Sequence, residues 1–146
     1  MTDEDNETQD SKPGPIPDEG QTLDRLPVTI QAQYIKDLSF ENPNAPMPMR
    51  KSNGKPAIAV DFSMDAKKLD MPDFEDAYEV ILYISVKAAK GELTTFIAEL
   101  EYGMMVTLQD VPEEKIHPLL LIEMPNYMFP YARQIISDLT QQAGYM

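Results

Sequence analysis

The sequence predicts an α+β domain, a four-stranded antiparallel sheet with C-terminal helices packed on one face, and three observations carry that expectation. Four runs between Val28 and Leu108 alternate apolar and polar residues with period two, as half-buried strands do. Helical spacing of three and four appears only after Pro112. The short connection at Lys90-Gly91 argues for antiparallel neighbours and one solvated face.

Residues 1–26 hold eight acids against two bases, with Pro13, Gly14, Pro15, Pro17 and Gly20 interspersed. Such a segment buries too little apolar surface to offset its ordering entropy, so a disordered acidic tail is expected ahead of a folded domain over 27–146. The first strand puts Val28, Ile30, Ala32, Tyr34, Leu38 and Phe40 in one row, with Thr29, Gln31, Gln33, Asp37, Ser39 and Glu41 opposite. It ends at Asn42-Pro43-Asn44-Ala45-Pro46, and an irregular stretch continues through Pro48, Asn53 and Gly54 to Pro56. Ile58, Val60, Phe62 and Met64 define a second strand, expected to close into the acidic, proline-interrupted segment from Asp65 to Asp76. The third carries Tyr78, Val80, Leu82, Ile84 and Val86 on one face. The fourth carries Phe96, Ala98, Leu100, Tyr102, Met104, Val106 and Leu108.

Asp110 is the N-cap candidate for a helix starting near Pro112, where Glu113 and Glu114 complement the helix dipole. Pro118 and Pro125-Asn126 should interrupt it, with a second segment restarting around Tyr127 and Pro130 confined to its first turn. Phe129, Ala132, Ile136, Leu139 and Ala143 then form one apolar stripe that ends at Gly144.

At 146 residues the chain has room for one domain, and without cysteine it carries no disulfide, thiol nucleophile or cysteine-ligated metal. A net charge of -13 opposes the phosphates of nucleic acid and the anionic surface of a membrane. Met1 to Asp10 is acidic and polar, unlike a signal peptide, and no apolar run is long enough to span a bilayer, so a cytoplasmic location without membrane insertion is expected. The single histidine, His117, stands beside Pro118 with no nucleophile or acid at triad spacing. Asp37 and Glu41 fall about 13 Å apart along a strand, wide for a retaining carboxylate pair. There is no EF-hand loop and no phosphate-binding glycine loop. No catalytic residue, metal or cofactor is expected; a small hydrolase built on His117 and scattered carboxylates is the competing enzyme reading. Ten methionines stand out instead. Met64, Met104 and Met128 suit the core, whereas Met47 and Met49 lie in a proline-rich loop where an adaptable apolar groove would use them.

The segment from Tyr34 to Pro46, Tyr-Ile-Lys-Asp-Leu-Ser-Phe-Glu-Asn-Pro-Asn-Ala-Pro, resembles the first strand and following loop of the SecB family of protein-export chaperones. Tyr78-Glu79-Val80, then Pro125-Asn126 with Phe129-Pro130-Tyr131-Ala132-Arg133, continue the resemblance in family order from about Val28 to Gly144. It implies an ATP-independent holdase that keeps precursor proteins unfolded and delivers them to the SecA motor, assembled as a homotetramer, a dimer of dimers. A SecB-like chaperone dedicated to a toxin-antitoxin or stress client is the alternative. By the same resemblance, the motor-contacting surface maps onto Asp37, Glu41, Ile97 and Glu99, all at odd positions opposite the apolar row. The client groove maps onto Phe40, Met47, Met49, Tyr127 and Phe129. Two departures stand beside it: the loop has no tryptophan where some family members carry an aromatic anchor, with Lys51 to Lys55 poor in apolar residues, and the chain stops at Met146 where the family usually continues into a further helix.

Overall fold

All four alternating runs become strands in the computed structural model, which describes residues 27–50 and 54–145. The predicted tail over 1–26 lies outside the described residues. The strands are β1 (Val28–Glu41), β2 (Ala57–Met71), β3 (Phe74–Lys90) and β4 (Leu93–Leu108). They form one antiparallel sheet in the order β1-β4-β3-β2, so β1 and β2 are both edges. A 3-10 turn at Met47–Met49 lies in the β1–β2 connection.

Because cross-strand partners share a face, the register assigns every side chain. Val80, Leu82, Ile84 and Val86 of β3 pair with Met104, Tyr102, Leu100 and Ala98 of β4. These residues are buried under the C-terminal helices, the face the alternation assigned to the core. The odd positions form the outer face.

β2 is longer than expected. The segment from Asp65 is not a loop: the strand runs to Met71 and turns through Pro72 and Asp73 into Phe74. An edge strand tolerates charge because its side chains reach water or a partner. Here Lys67 sits 3.5 Å from Glu79 and Lys68 4.0 Å from Asp76.

β1 departs from strict alternation twice. Its register with β4 skips Gln31, between Ile30 and Ala32, and Lys36, between Ile35 and Asp37. Each β-bulge adds one residue and inverts the faces beyond it. Ala32 and Tyr34 therefore lie on the outer face, opposite Met105 and Gly103, while Gln33 and Ile35 take the helix side. The second bulge restores the original parity for Asp37 to Glu41. Most of β1 is exposed, since the helix covers the middle of the sheet and not this edge.

After β4, Asp110 takes a left-handed turn (φ 52°) that redirects the chain. It is not the N-cap; Pro112 occupies that place, without a side-chain cap, and α1 (Glu113–Pro118) follows. The prolines do not halt the helical path. A wide turn over Leu119–Glu123, closed by the Met124 amide donating to the Leu119 carbonyl at 3.2 Å, joins α1 to α2 (Pro125–Gln142). α2 thus begins two residues before Tyr127, and Pro130 falls inside it rather than in the first turn. Pro130 is exposed, so the backbone carbonyl it leaves unpaired lies on the wet side of the helix. Leu120, Met124, Met128 and Ala132 pack on the sheet at no more than 1 % exposure. Of the predicted stripe Ala132 is buried and Ile136 packs against the core, as Met128 does in full, while Phe129 lies 40 % exposed on the flank.

Candidate functional site

The outer face gathers the residues expected to meet a motor. Glu41 pairs with Ile97, Ser39 with Glu99, and Asp37 with Glu101. Directly opposed side chains have Cβ atoms about 5 Å apart, so Asp37, Glu41, Ile97 and Glu99 form one patch across two adjacent strands. Asp37, Glu99 and Glu101 also join Asp61 and Tyr83 around a shallow depression of about 240 Å³. The acids come from three strands, and the surface they make is anionic at neutral pH.

Beside that patch the structure holds a network the alternation pattern did not reveal. Glu79 of β3 points outward yet is only 6 % exposed. Lys36 donates to its Oε1 at 2.7 Å, and Lys67 lies 3.5 Å from the same oxygen. The Tyr34 hydroxyl donates to Oε2 in a very short hydrogen bond. Burial alone would raise the Glu79 pKa, but the hydrogen bonds from Lys36 and Tyr34 outweigh it and hold the carboxyl below the usual glutamate range. Tyr34 is pushed the other way, by burial first and then by Glu79, and stays a phenol. Its ring lies across Gly103, where an added Cβ would sit 2.5 Å from Tyr34 Cε2. The signal was there to read: Gly103 is the one glycine within the four strands, and a glycine in a strand interior marks close approach of another group.

On the helix side the five expected client residues fall into three places. Phe40 stacks on Phe96 (centroids 5.7 Å), and Tyr145 closes on the same ring at 5.2 Å. Met49 reaches this end of the molecule, its methyl group against Gly144, and Met47 beside it is 52 % exposed. Hydrogen bonds fasten the loop that carries them: Asn44 donates to the Thr94 carbonyl at 2.8 Å and the Tyr145 hydroxyl to Asn42 at 2.6 Å. Phe129 lies about 22 Å away by helix rise, against Phe62 of β2 (5.8 Å), in a groove of about 350 Å³ lined by Val60, Phe62, Ile84, Val86 and Ile136. Tyr127 stands two residues from Phe129, a turn of roughly 200°, and so faces the opposite flank. On that flank Tyr131 stacks on Tyr102 (6.4 Å), whose hydroxyl donates to Gln33 at 3.1 Å. The structure joins Phe40 to Met49 at one end and leaves Phe129 and Tyr127 on separate sides of α2.

The family described as preprotein translocase subunit SecB matches residues 21–146 of the sequence. The chain belongs to the SecB family. It is 45 % identical over 116 residues to the protein-export protein SecB of Bartonella bacilliformis, covering 80 % of this chain and 70 % of that one. Against the SecB of Rhodospirillum rubrum it is 42 % identical over 123 residues, covering 84 % and 74 %. Among solved structures it is similar to a SecB-like chaperone of Mycobacterium tuberculosis bound to a peptide from an antitoxin, with a TM-score of 0.60 at 16 % identity over 85 % of this chain and 88 % of that one. At that identity the likeness concerns the fold, and it agrees with the four-stranded sheet and C-terminal helix. Membership makes this chain a chaperone of protein export that binds client polypeptides, not an enzyme. Among the described residues no helix is long and apolar enough to cross a membrane.

Proposed function

We propose that this chain is an ATP-independent, cytoplasmic holdase that keeps precursor proteins unfolded and passes them to the SecA motor. The observation that supports this reading is the division of one sheet into two unlike surfaces. The outer face offers the patch of Asp37, Glu41, Ile97 and Glu99, where carboxylates attract a basic segment of the motor and speed its encounter. The helix side leaves Ile35, Ile58, Val60, Phe62, Phe129 and Tyr131 between 40 % and 61 % exposed. Cargo and motor can then be held together without competing for one surface.

Clients contribute apolar side chains to Phe40, Met47, Met49, Tyr127 and Phe129, and affinity accumulates over several weak, separated contacts rather than in one pocket. Assembly into a homotetramer, a dimer of dimers, would cover part of the exposed apolar surface. β1 is suited to it, having an unpaired edge beside Ile30, Ile35 and Leu38. Dedication to a single antitoxin or stress client draws only on likeness of fold, whereas 40 to 45 % identity to several protein-export proteins favours the general export role.

The test is size-exclusion chromatography with light scattering on the protein, alone and mixed with a slow-folding precursor diluted from denaturant. A mass of four subunits that shifts to a co-eluting complex, ignores the folded precursor and then binds SecA is the expected result. A stable monomer that lets the precursor fold or aggregate unaided would refute the holdase, and SecA binding that Glu99→Lys leaves intact would refute the acidic docking face.

A further inference from the structure

With Tyr34 on the outer face, the acids beyond it in β1 face outward because the strand is bulged at Lys36. Tyr34 lies on the outer face opposite Gly103, and Phe40 on the helix side opposite Ala98. Residues six apart share a face in a regular strand, so these two positions require one inserted residue between them. Without it, a strand fixed at Tyr34 would present Leu38 and Phe40 to solvent and turn Asp37 and Glu41 under the helix side. Lys36 is that inserted residue, and it has no partner on β4.

Both Tyr34 and Lys36 bond to Glu79, a side chain from β3, two strands away in the sheet. Glu79 therefore grips β1 on the residue before the bulge pair and on the bulged residue itself. The other end of the same stretch of β1 is held from the opposite face, where Phe40 stacks on Phe96. We infer that Glu79, through Tyr34 and Lys36, is a positioning residue for the acidic docking face: it fixes the β1 bulge that directs Asp37 and Glu41 outward beside Glu99. At 6 % exposure it is too covered to meet a partner itself. The inference rests on the reading of that face as the docking surface for a basic partner.

Lys36 gives the discriminating variant, because the two accounts predict opposite signs. If charge alone governed docking, Lys36→Met would remove a cation from beside the acids and tighten binding of a basic partner. If Lys36 holds the bulge, the same change weakens binding. Calorimetric titration of the full-length protein with purified SecA should show about a tenfold loss for Lys36→Met and for Glu79→Gln, with recovery in Lys36→Arg, the size expected for losing a charge-assisted hydrogen bond.

The face itself is read separately. Because the chain has no cysteine, Ser39→Cys with Glu99→Cys places a single thiol pair at directly opposed outer-face positions. Oxidation should link them efficiently in the native background and several-fold less when Lys36→Met or Glu79→Gln is added. Unchanged or tighter SecA binding together with undiminished cross-linking overturns the positioning role while leaving the docking face standing. Glu99→Lys without effect on SecA binding overturns the docking face, and with it the dependence on Glu79, whatever the cross-link shows.

Discussion

Gly103→Ala tests whether close packing under Tyr34 holds the outer face together. The new methyl group would lie 2.5 Å from Tyr34 Cε2 and 2.9 Å from Cζ, where ordinary contact begins near 3.4 Å, so the ring must move by about 1 Å. Overpacking of this kind costs about 1 to 3 kcal/mol. The ring cannot simply swing out, because its hydroxyl is bonded to Glu79; moving it loosens a hydrogen bond to a charged group worth about 1.5 kcal/mol or more. A total of about 3 kcal/mol is expected, or a fall of roughly 10 °C in melting temperature for a chain of this size. Differential scanning calorimetry at fixed protein concentration measures it, concentration being held because assembly also shifts the transition. The decisive comparison is a double-mutant cycle. In a Tyr34→Ala background nothing opposes the methyl group, and Gly103→Ala should cost less than about 0.5 kcal/mol. Equal costs in the two backgrounds would show that the glycine serves the strand backbone and not the tyrosine, and the reasoning would fail.

Other consequences are independent of that cycle. Glu79 has a folded pKa below its unfolded value of about 4.3, so its contribution is present above that value and is lost as the pH falls through the folded one; acid titration from about pH 5 to pH 3 should therefore lower the melting temperature of the native protein more than that of Glu79→Gln. Met128→Ala opens a cavity at a fully buried position between α2 and the sheet and should cost about 2 to 5 kcal/mol, read from the urea midpoint with an unchanged slope. Tyr145→Ala removes the ring against Phe96 and the hydrogen bond to Asn42. Trypsin cleavage after Arg50 should then accelerate several-fold, whereas Tyr127→Ala, on the far part of α2, leaves it unchanged.

Period-two alternation was enough to find every strand, because β3 and β4 bury one face under a helix and leave the other without one, and that asymmetry is written residue by residue from Tyr78 to Leu108. What alternation could not supply was the extent of an edge. Asp65 to Met71 reads as charged and polar, yet all of it but Asp70 pairs with β3, since an edge strand needs partners for its backbone rather than burial for its side chains. The helical layer failed in a different way. Prolines 118, 125 and 130 look like three stops, but Pro125 takes a first position where no donor is needed, and Pro118 and Pro130 are exposed, so the carbonyls they leave unpaired reach water. Met128, not Phe129, lies buried beside Ala132 under α2, and Phe129 packs on the flank against Phe62.

The residues proposed for docking lie on the face that alternation assigned them, although the pattern is locally wrong. Two bulges, at Gln31 and Lys36, cancel in parity, so Val28 and Phe40 obey the same alternation while Ala32 to Ile35 between them are inverted. A sequence offers no period that reveals a compensated pair. Tyr34 alternates with the apolar row yet lies on the outer face, where it covers Gly103 and hydrogen-bonds the buried Glu79. The inversion is also confined. Gln31 donates to Thr107 at 3.1 Å beside the first bulge, and Lys36 holds Glu79 at the second, so each irregularity is tied down by the side chain it inserts. An edge strand that must show acids on one face and apolar residues on the other gains from this arrangement, because slipping by one residue would exchange the two surfaces and abolish both.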